Sequence, residues 1–347
     1  MISSLSSSVP IQNIPGDYGH PFFSPLRDRY DYFYKQGRDE FFKCRMEKYN
    51  STVFRTNMPP GPFISSNPNV IVLLDAISFP ILFDTTKVEK KDILDGTYMP
   101  STSFFGGYRV CAFLDPSEPK HSKLKQLALS LLASRHNKFI PLFQNSLGQL
   151  FDNLDSEVLE KSTVFFNTLC DSMSFDYLFR LFFNKNPSET KMGSDGERSM
   201  MTWLAVQLAP ITKIGSPWIP NVVEDLLLHT FKLPSSLAES GYKKIYESIY
   251  MSATEILDEA EKLGISREEA CHNLVFLFGF NAYAIFHYLM RRWRWSYAGT
   301  TRLFPALIKW VGLAGETLHT QLANEIRAVD KLEGRALTFV RSGISRY

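Results

Sequence analysis

Cysteine is scarce in this chain: four residues in 347, at Cys44, Cys111, Cys170 and Cys271. No two share the C-x-x-C spacing of a zinc site or a redox pair. Isolated thiols of this kind fit a reducing compartment. Excess charge is missing too, since 38 Lys and Arg against 36 Asp and Glu leave a formal net charge of +2. With no long basic stripe, no nucleic-acid partner is expected. The motifs G-x-S-x-G, H-E-x-x-H, G-x-x-x-x-G-K-[ST] and G-x-G-x-x-G are all absent, which sets aside the common hydrolase, metalloprotease and nucleotide-binding arrangements. The seven His residues are scattered, and none makes a ligand pair at i, i+4. There is no internal repeat and no strand–helix alternation, so a parallel α/β fold is not expected. No Lys or Arg precedes Arg27 and no long apolar stretch opens the chain, so no secretory signal is expected. The start is Ser-rich and acid-poor, as transit peptides are, but lacks Arg. A cytoplasmic location is expected, with the plastid as the alternative.

Apolar and aromatic residues are plentiful. Hydrophobic residues make up 44% of the chain, with 28 Phe and 15 Tyr, enough for a large core and for the walls of a cavity. An aromatic helical pattern, "DRYDYFYKQGRDEFFKCRMEKY", is interrupted near Gly37. Two β-like runs follow, "STVFRTNM" and "NVIVLLD", separated by the breaker-rich "PPGPFISSNP". From about Lys120 the periodicity is helical, in "HSKLKQLALSLLASRH", "LFQNSLGQLFDNLDSEVLE" and "YKKIYESIYMSATEILDEAEKLG". The expected fold is mainly α with a small N-terminal β region. Residues 274 to 290 are almost all apolar and run into "RRWRW", a pattern shared with membrane spans. Asn281 and His287 interrupt it and it falls short of the ~20 residues a span needs, so a buried core helix is expected. Ser266 and Glu269 form a capping box at its start.

Two polar features could carry chemistry. In "KVEKKDILDGTYMPS" and "GGYRVCAFLDPSEPKHSKLK", His121 and Lys125 are four residues apart on one helical face, and Lys90 comes from a separate loop. If they converge, they suit paired carboxylates or phosphates; read alone, they also suit a solvated surface. Asn281 sits inside an apolar run, where a buried amide is satisfied locally or faces a polar ligand.

Together these stretches resemble a known family. "IPGDYGHPFFSPLRDRYDYFYKQG", "KYNSTVFRTNMPPGPFISSNPNVIVLLD", "KVEKKDILDGTYMPS", "GGYRVCAFLDPSEPKHSKLK" and "LGISREEACHNLVFLFGFNAYA" look like the plant fatty-acid hydroperoxide-metabolising cytochrome P-450 group. That group contains allene oxide synthase, divinyl ether synthase and hydroperoxide lyase. The resemblance runs from about residue 11 to about residue 334, broken once. It implies a mainly helical haem-thiolate fold, with haem b as cofactor and a fatty-acid hydroperoxide as substrate. Neither O₂ nor a reductase would be used. It further implies that Lys90, His121 and Lys125 hold the haem propionates, and that Asn281 hydrogen-bonds the substrate's oxygen in the helix over the haem.

Three departures accompany the resemblance. Leu94 stands where allene oxide synthases usually carry Phe, and no Lys completes F-N-x-x-G-G-x-K. Both features tilt the implied product toward a divinyl ether, with chain cleavage as an alternative, and make Leu94 a substrate contact. Removing residues 285 to 298, "IFHYLMRRWRWSYA", restores the family pattern without a gap, so this stretch reads as an insertion. The alternative is a membrane-contacting extension, which interfacial Trp and Arg would suit. Finally, no Glu is followed by Arg at i+3 and no Cys lies in a C-terminal loop, so the axial thiolate is missing. The expectation is a single, incomplete cytochrome P-450-like domain over 1–347, with a flexible 1–13 start, no metal ligand of its own and no activity as it stands.

Overall fold

Gly37 divides the N-terminal aromatic run where the sequence predicts a break. The computed structural model of the chain describes residues 13–65, 67–91, 102–161 and 164–284. In it α1 (Phe23–Tyr30) passes into a π-helical turn, Asp31–Lys35, and α2 (Arg38–Tyr49) begins after Gly37 at φ +79°, a conformation that favours glycine. Asn50, left-handed at φ 46°, ends α2, as a short polar side chain tolerates at a helix C-terminus.

The two β-like runs pair. β1 (Val53–Asn57) lies antiparallel to β2 (Asn69–Leu73), with Val53 opposite Leu73 and Asn57 opposite Asn69. Phe54 is fully buried, and the Tyr49 ring lies 5.8 Å from it, so the strands dock on α2 through one face.

Helices supply the rest of the described chain: α3 (Phe79–Leu82), α4 (Pro119–Arg135), α5 (Phe139–Lys161), α6 (Phe166–Phe183), α7 (Gly196–Leu208), α8 (Asn221–His229), α9 (Glu239–Ser252), α10 (Thr254–Lys262) and α11 (Arg267–Phe276). The fold is mainly α with a small N-terminal sheet, as the sequence predicts. One expected helix is in fact two. "YKKIYESIYMSATEILDEAEKLG" breaks at Ala253 (φ −101°, ψ 27°), which is itself buried. The break lets α9 bury Ile245 and Ile249 while α10 buries Ile256 and Leu257.

α11 starts on its Ser266 N-cap, the hydroxyl accepting from the Glu269 N–H, while the Glu269 carboxylate that would complete the expected capping box takes Lys120. The helix continues as a π-helical segment, Leu277–Ala284. Leu274, Val275, Phe278 and Tyr283 are buried there, so the apolar run packs into the core as far as it is described. Among the described residues no helix is long and apolar enough to cross a membrane. The core is aromatic: Phe105 lies edge-on to Trp203 at 5.7 Å and to Phe113 at 5.2 Å, and Phe278 meets Phe175 at 5.3 Å. Such edge-to-face pairs add to simple area burial. All the described residues fall within one unit, Met1–Ile285.

α8 is inverted. It buries Glu224 and His229 and leaves Val222, Leu226 and Leu227 exposed at 66%, 57% and 59%. The acids turn inward because partners wait there. Buried Arg29 forks onto Asp225 at 2.6 and 3.1 Å, and Glu224 accepts from Tyr34 and from the Ile214 and Gly215 N–H groups. With Trp218 91% and Phe231 65% exposed alongside, this apolar face should drive self-association. Replacing Leu226 and Leu227 together by Lys should raise the monomer fraction in light scattering, with stability changing by about 0.5 kcal/mol or less per site. An unchanged association state would remove α8 as its cause.

Candidate functional site

The site begins with a short turn. A single 3₁₀ turn, Cys111–Phe113, stands ahead of α4. Phe113 is buried against Phe105 and Phe276, so apolar packing sets the turn's depth. Its polar groups are tied to four other parts of the chain. The Lys90 ammonium donates to the Ala112 carbonyl at 2.6 Å, and Arg109 donates to the Phe113 carbonyl at 2.6 Å. The Cys111 Sγ lies 3.8 Å from the His121 carbonyl, and the Cys111 N–H donates to Asn273 Oδ1 at 2.7 Å.

α4 opens beside this turn. Pro119 stands in its first turn, where its missing N–H is harmless. Glu118 precedes it, gripped by the Asp115 N–H at 2.8 Å and by both Arg109 Nη groups at 3.0 Å. These donors hold the Glu118 carboxyl below the usual range, the backbone N–H foremost. His121 and Lys125 then follow on one face of α4.

The structure brings Lys90, His121 and Lys125 together. The His121 imidazole is pushed below its ordinary value, first by burial, then by the charges of Lys125 and Lys90, with Glu118 opposing. Burial raises the Cys111 thiol, and the same two lysines oppose that rise. The shift biases the His121 imidazole toward its neutral form, which carries one N–H. Two ammonium groups and an imidazole N–H can receive a pair of carboxylates.

Asn281 differs from the sequence expectation. It is exposed, not enclosed. Gly279 shows why: a Cβ there would stand 2.6 Å from Met200 Sδ and 2.8 Å from Trp203, so this side of the segment faces α7. Two residues later the chain has turned roughly half-way round the axis, and Asn281 points out of the core. Phe276 and Phe280, on the same stretch of chain, stack at 4.8 Å and are only half-buried. Leu94 and residues 285–298 lie outside the described residues.

Two contributors were missed in the sequence. Asn273 joins α11 to the Cys111 turn, and Glu269, one helical turn earlier, takes Lys120 of α4 at 2.9 Å. The only available signal was a polar residue in an apolar helix eight positions before Asn281, too weak to separate from a surface residue.

No family model matches the chain, but individual relatives do. It is 51% identical to allene oxide synthase 3 of Solanum lycopersicum over 328 residues, which is 94% of this chain and 64% of that protein. It is 49% identical to the chloroplastic allene oxide synthase of Arabidopsis thaliana over 333 residues, 96% of this chain and 61% of that one. A divinyl ether synthase of Solanum lycopersicum is 46% identical over 334 residues, 96% and 66% of the two chains. The chain belongs to the plant fatty-acid hydroperoxide-metabolising cytochrome P-450 family. It spans less than two thirds of the length of these relatives.

Membership of this cytochrome family implies haem, and the residues present fit it in part. Lys90, His121 and Lys125 suit its two propionates. Among the described residues no group of three His, Cys, Asp or Glu side chains could hold a metal ion. All four cysteines are free thiols, two of them buried in helices.

Proposed function

We propose that this chain carries the propionate-holding and substrate-facing part of an enzyme of oxylipin biosynthesis that converts polyunsaturated fatty-acid hydroperoxides. The observation that carries the reading is 51% identity to an allene oxide synthase over 94% of the chain, joined to the convergence of the cations. Bound haem b would supply O–O bond cleavage, with no O₂ and no reductase. Lys90 and Lys125 neutralise the two propionates, and neutral His121 donates a further hydrogen bond. The Asn281 amide orients the hydroperoxide oxygen while Phe276 and Phe280 keep water from that side. The product is a divinyl ether or allene oxide, formed by dehydration; chain cleavage is the alternative outcome. Several relatives are named as chloroplastic, which supports the plastid over the cytoplasm.

Metal-free protoporphyrin IX isolates the carboxylate contacts from iron ligation. Its affinity should fall about 10- to 100-fold in Lys90→Met/Lys125→Met, as loss of charged hydrogen bonds implies, while the dimethyl ester is indifferent to the change. Fluorescence titration reads both, and equal affinities would end the propionate assignment.

Turnover is tested in a hybrid chain continued through the C-terminal part of the tomato allene oxide synthase. It should consume 9- or 13-hydroperoxides without NADPH, and mass spectrometry names the product. In that hybrid Asn281→Ala should lower kcat by about 100-fold, the usual loss of one preorganised donor, with unchanged thermal stability. A large loss of stability with normal specific activity would make Asn281 structural.

A further inference from the structure

We propose that Asn273 is a positioning residue that holds the Cys111 turn, and through it Lys90 and His121, in place relative to the helix carrying Asn281. The functional meaning of this role rests on the carboxylate site proposed above. The amide cannot turn over without loss. Its Nδ2 donates to the Glu269 carbonyl at 2.9 Å within α11, which aims Oδ1 outward at the Cys111 N–H, 2.7 Å away. The bond spans 162 residues of sequence and joins a helix to a turn with little regular structure of its own.

What that turn holds gives the bond its consequence. The Ala112 carbonyl, next to the anchored N–H, takes the Lys90 ammonium, and the Cys111 sulfur touches the His121 carbonyl. Neither Lys90 nor His121 contacts α11 in the bonds described. Both are registered to it through the turn. A second link, Lys120 to Glu269, fixes the start of α4 to the same turn of α11. Lys120 is largely exposed (59%), so this pair is weak support, and the half-buried amide bond is the stronger one.

The test uses the 347-residue chain labelled with ¹⁵N-cysteine, which places one probe at Cys111 and an internal reference at Cys271 in α11. In the unaltered chain the Cys111 N–H should be protected from exchange, although it lies outside any long helix. Asn273→Ala should speed its exchange about tenfold, the effect of one neutral hydrogen bond, and leave Cys271 unchanged. The ¹³C-His titration of His121 should move up toward the ordinary imidazole value as Lys90 is released, and protoporphyrin IX affinity should fall several-fold. Asn273→Asp keeps the acceptor and should keep Cys111 protected.

Unchanged Cys111 exchange and an unchanged His121 midpoint in Asn273→Ala would overturn the proposal. If that variant loses Cys271 protection and so fails to fold, the unaltered chain still decides: a Cys111 N–H exchanging like an unprotected loop also overturns it. Should Lys90→Met/Lys125→Met leave porphyrin affinity unchanged, the carboxylate site fails by itself. Cys111 exchange and the His121 midpoint then still judge Asn273.

Discussion

Reconstituted with haem, the 347-residue chain should give a ferrous–CO spectrum without the thiolate-type Soret band. The thiolate, not the thiol, ligates iron, and each cysteine of this chain is biased toward the thiol. Cys44 donates to Glu40 Oε1 at 3.1 Å, and that bond raises its pKa. Burial raises Cys170 in α6 and pushes Cys271 in α11 well above the thiol range. Cys271 is fully buried and packs toward the Tyr246 carbonyl. Cys111 has two cations beside it, Lys90 and Lys125, and burial still raises it; the charge of Lys43 near Cys44 is likewise outweighed. The expected spectrum is that of weakly ligated or histidine-ligated haem held through its propionates. A thiolate-type band would contradict this, and its loss in Cys111→Ser would name the ligand.

Between pH 6.5 and pH 4 the chain should lose about 3 kcal/mol of stability that His272→Gln does not lose. His272 is only 8% exposed, and burial, opposed by the charge of Glu268, lowers its pKa to about 4. The Tyr242 ring stacks on it at 5.8 Å and 5°, and the Tyr246 ring lies 4.5 Å away. Tyr242, whose own pKa is raised by burial, shares a hydrogen bond with His272 Nδ1. Gly106, at φ +62°, lies so close that a Cβ would come within 2.3 Å of Nε2. The sign follows from proton counting. Below about 6.5 the unfolded imidazole binds a proton that the folded one refuses until about 4, so stability falls as pH falls through that window. A shift of about 2.5 units at 1.36 kcal/mol each sets the size. Chemical denaturation at several pH values in both chains checks it, since acid-labile carboxylates act equally on each. Parallel stability curves would show that His272 does not carry the effect.

Local rules accounted for much of the fold. The strand runs, the break at Gly37, the N-cap at Ser266 and the helical patterns over 121–136 and 142–160 all follow from short-range signals. Phase, breaker residues and side-chain caps act within one or two turns and are visible in one dimension. The Ala253 break left no such signal, because it comes from two helices burying different faces. The outward-facing leucines of α8 are likewise invisible locally, since Arg29, nearly two hundred residues away, draws Asp225 inward.

The candidate site divides the same way. Lys90, His121 and Lys125 could be named from the sequence because charge type and i, i+4 spacing are local, and the family resemblance supplied their partner. Their convergence, the bias of His121 toward its neutral form and the outward direction of Asn281 depend on distance and burial, which only packing creates. By itself the sequence determined a mainly helical chain of this family, with Lys90, His121 and Lys125 as candidate carboxylate partners. The tertiary structure decided what surrounds them: one half-buried amide, Asn273, spans the gap between a helix and a turn that sequence separation hides. Residue type and period are properties of the chain, whereas desolvation and long-range hydrogen bonding exist only after it folds.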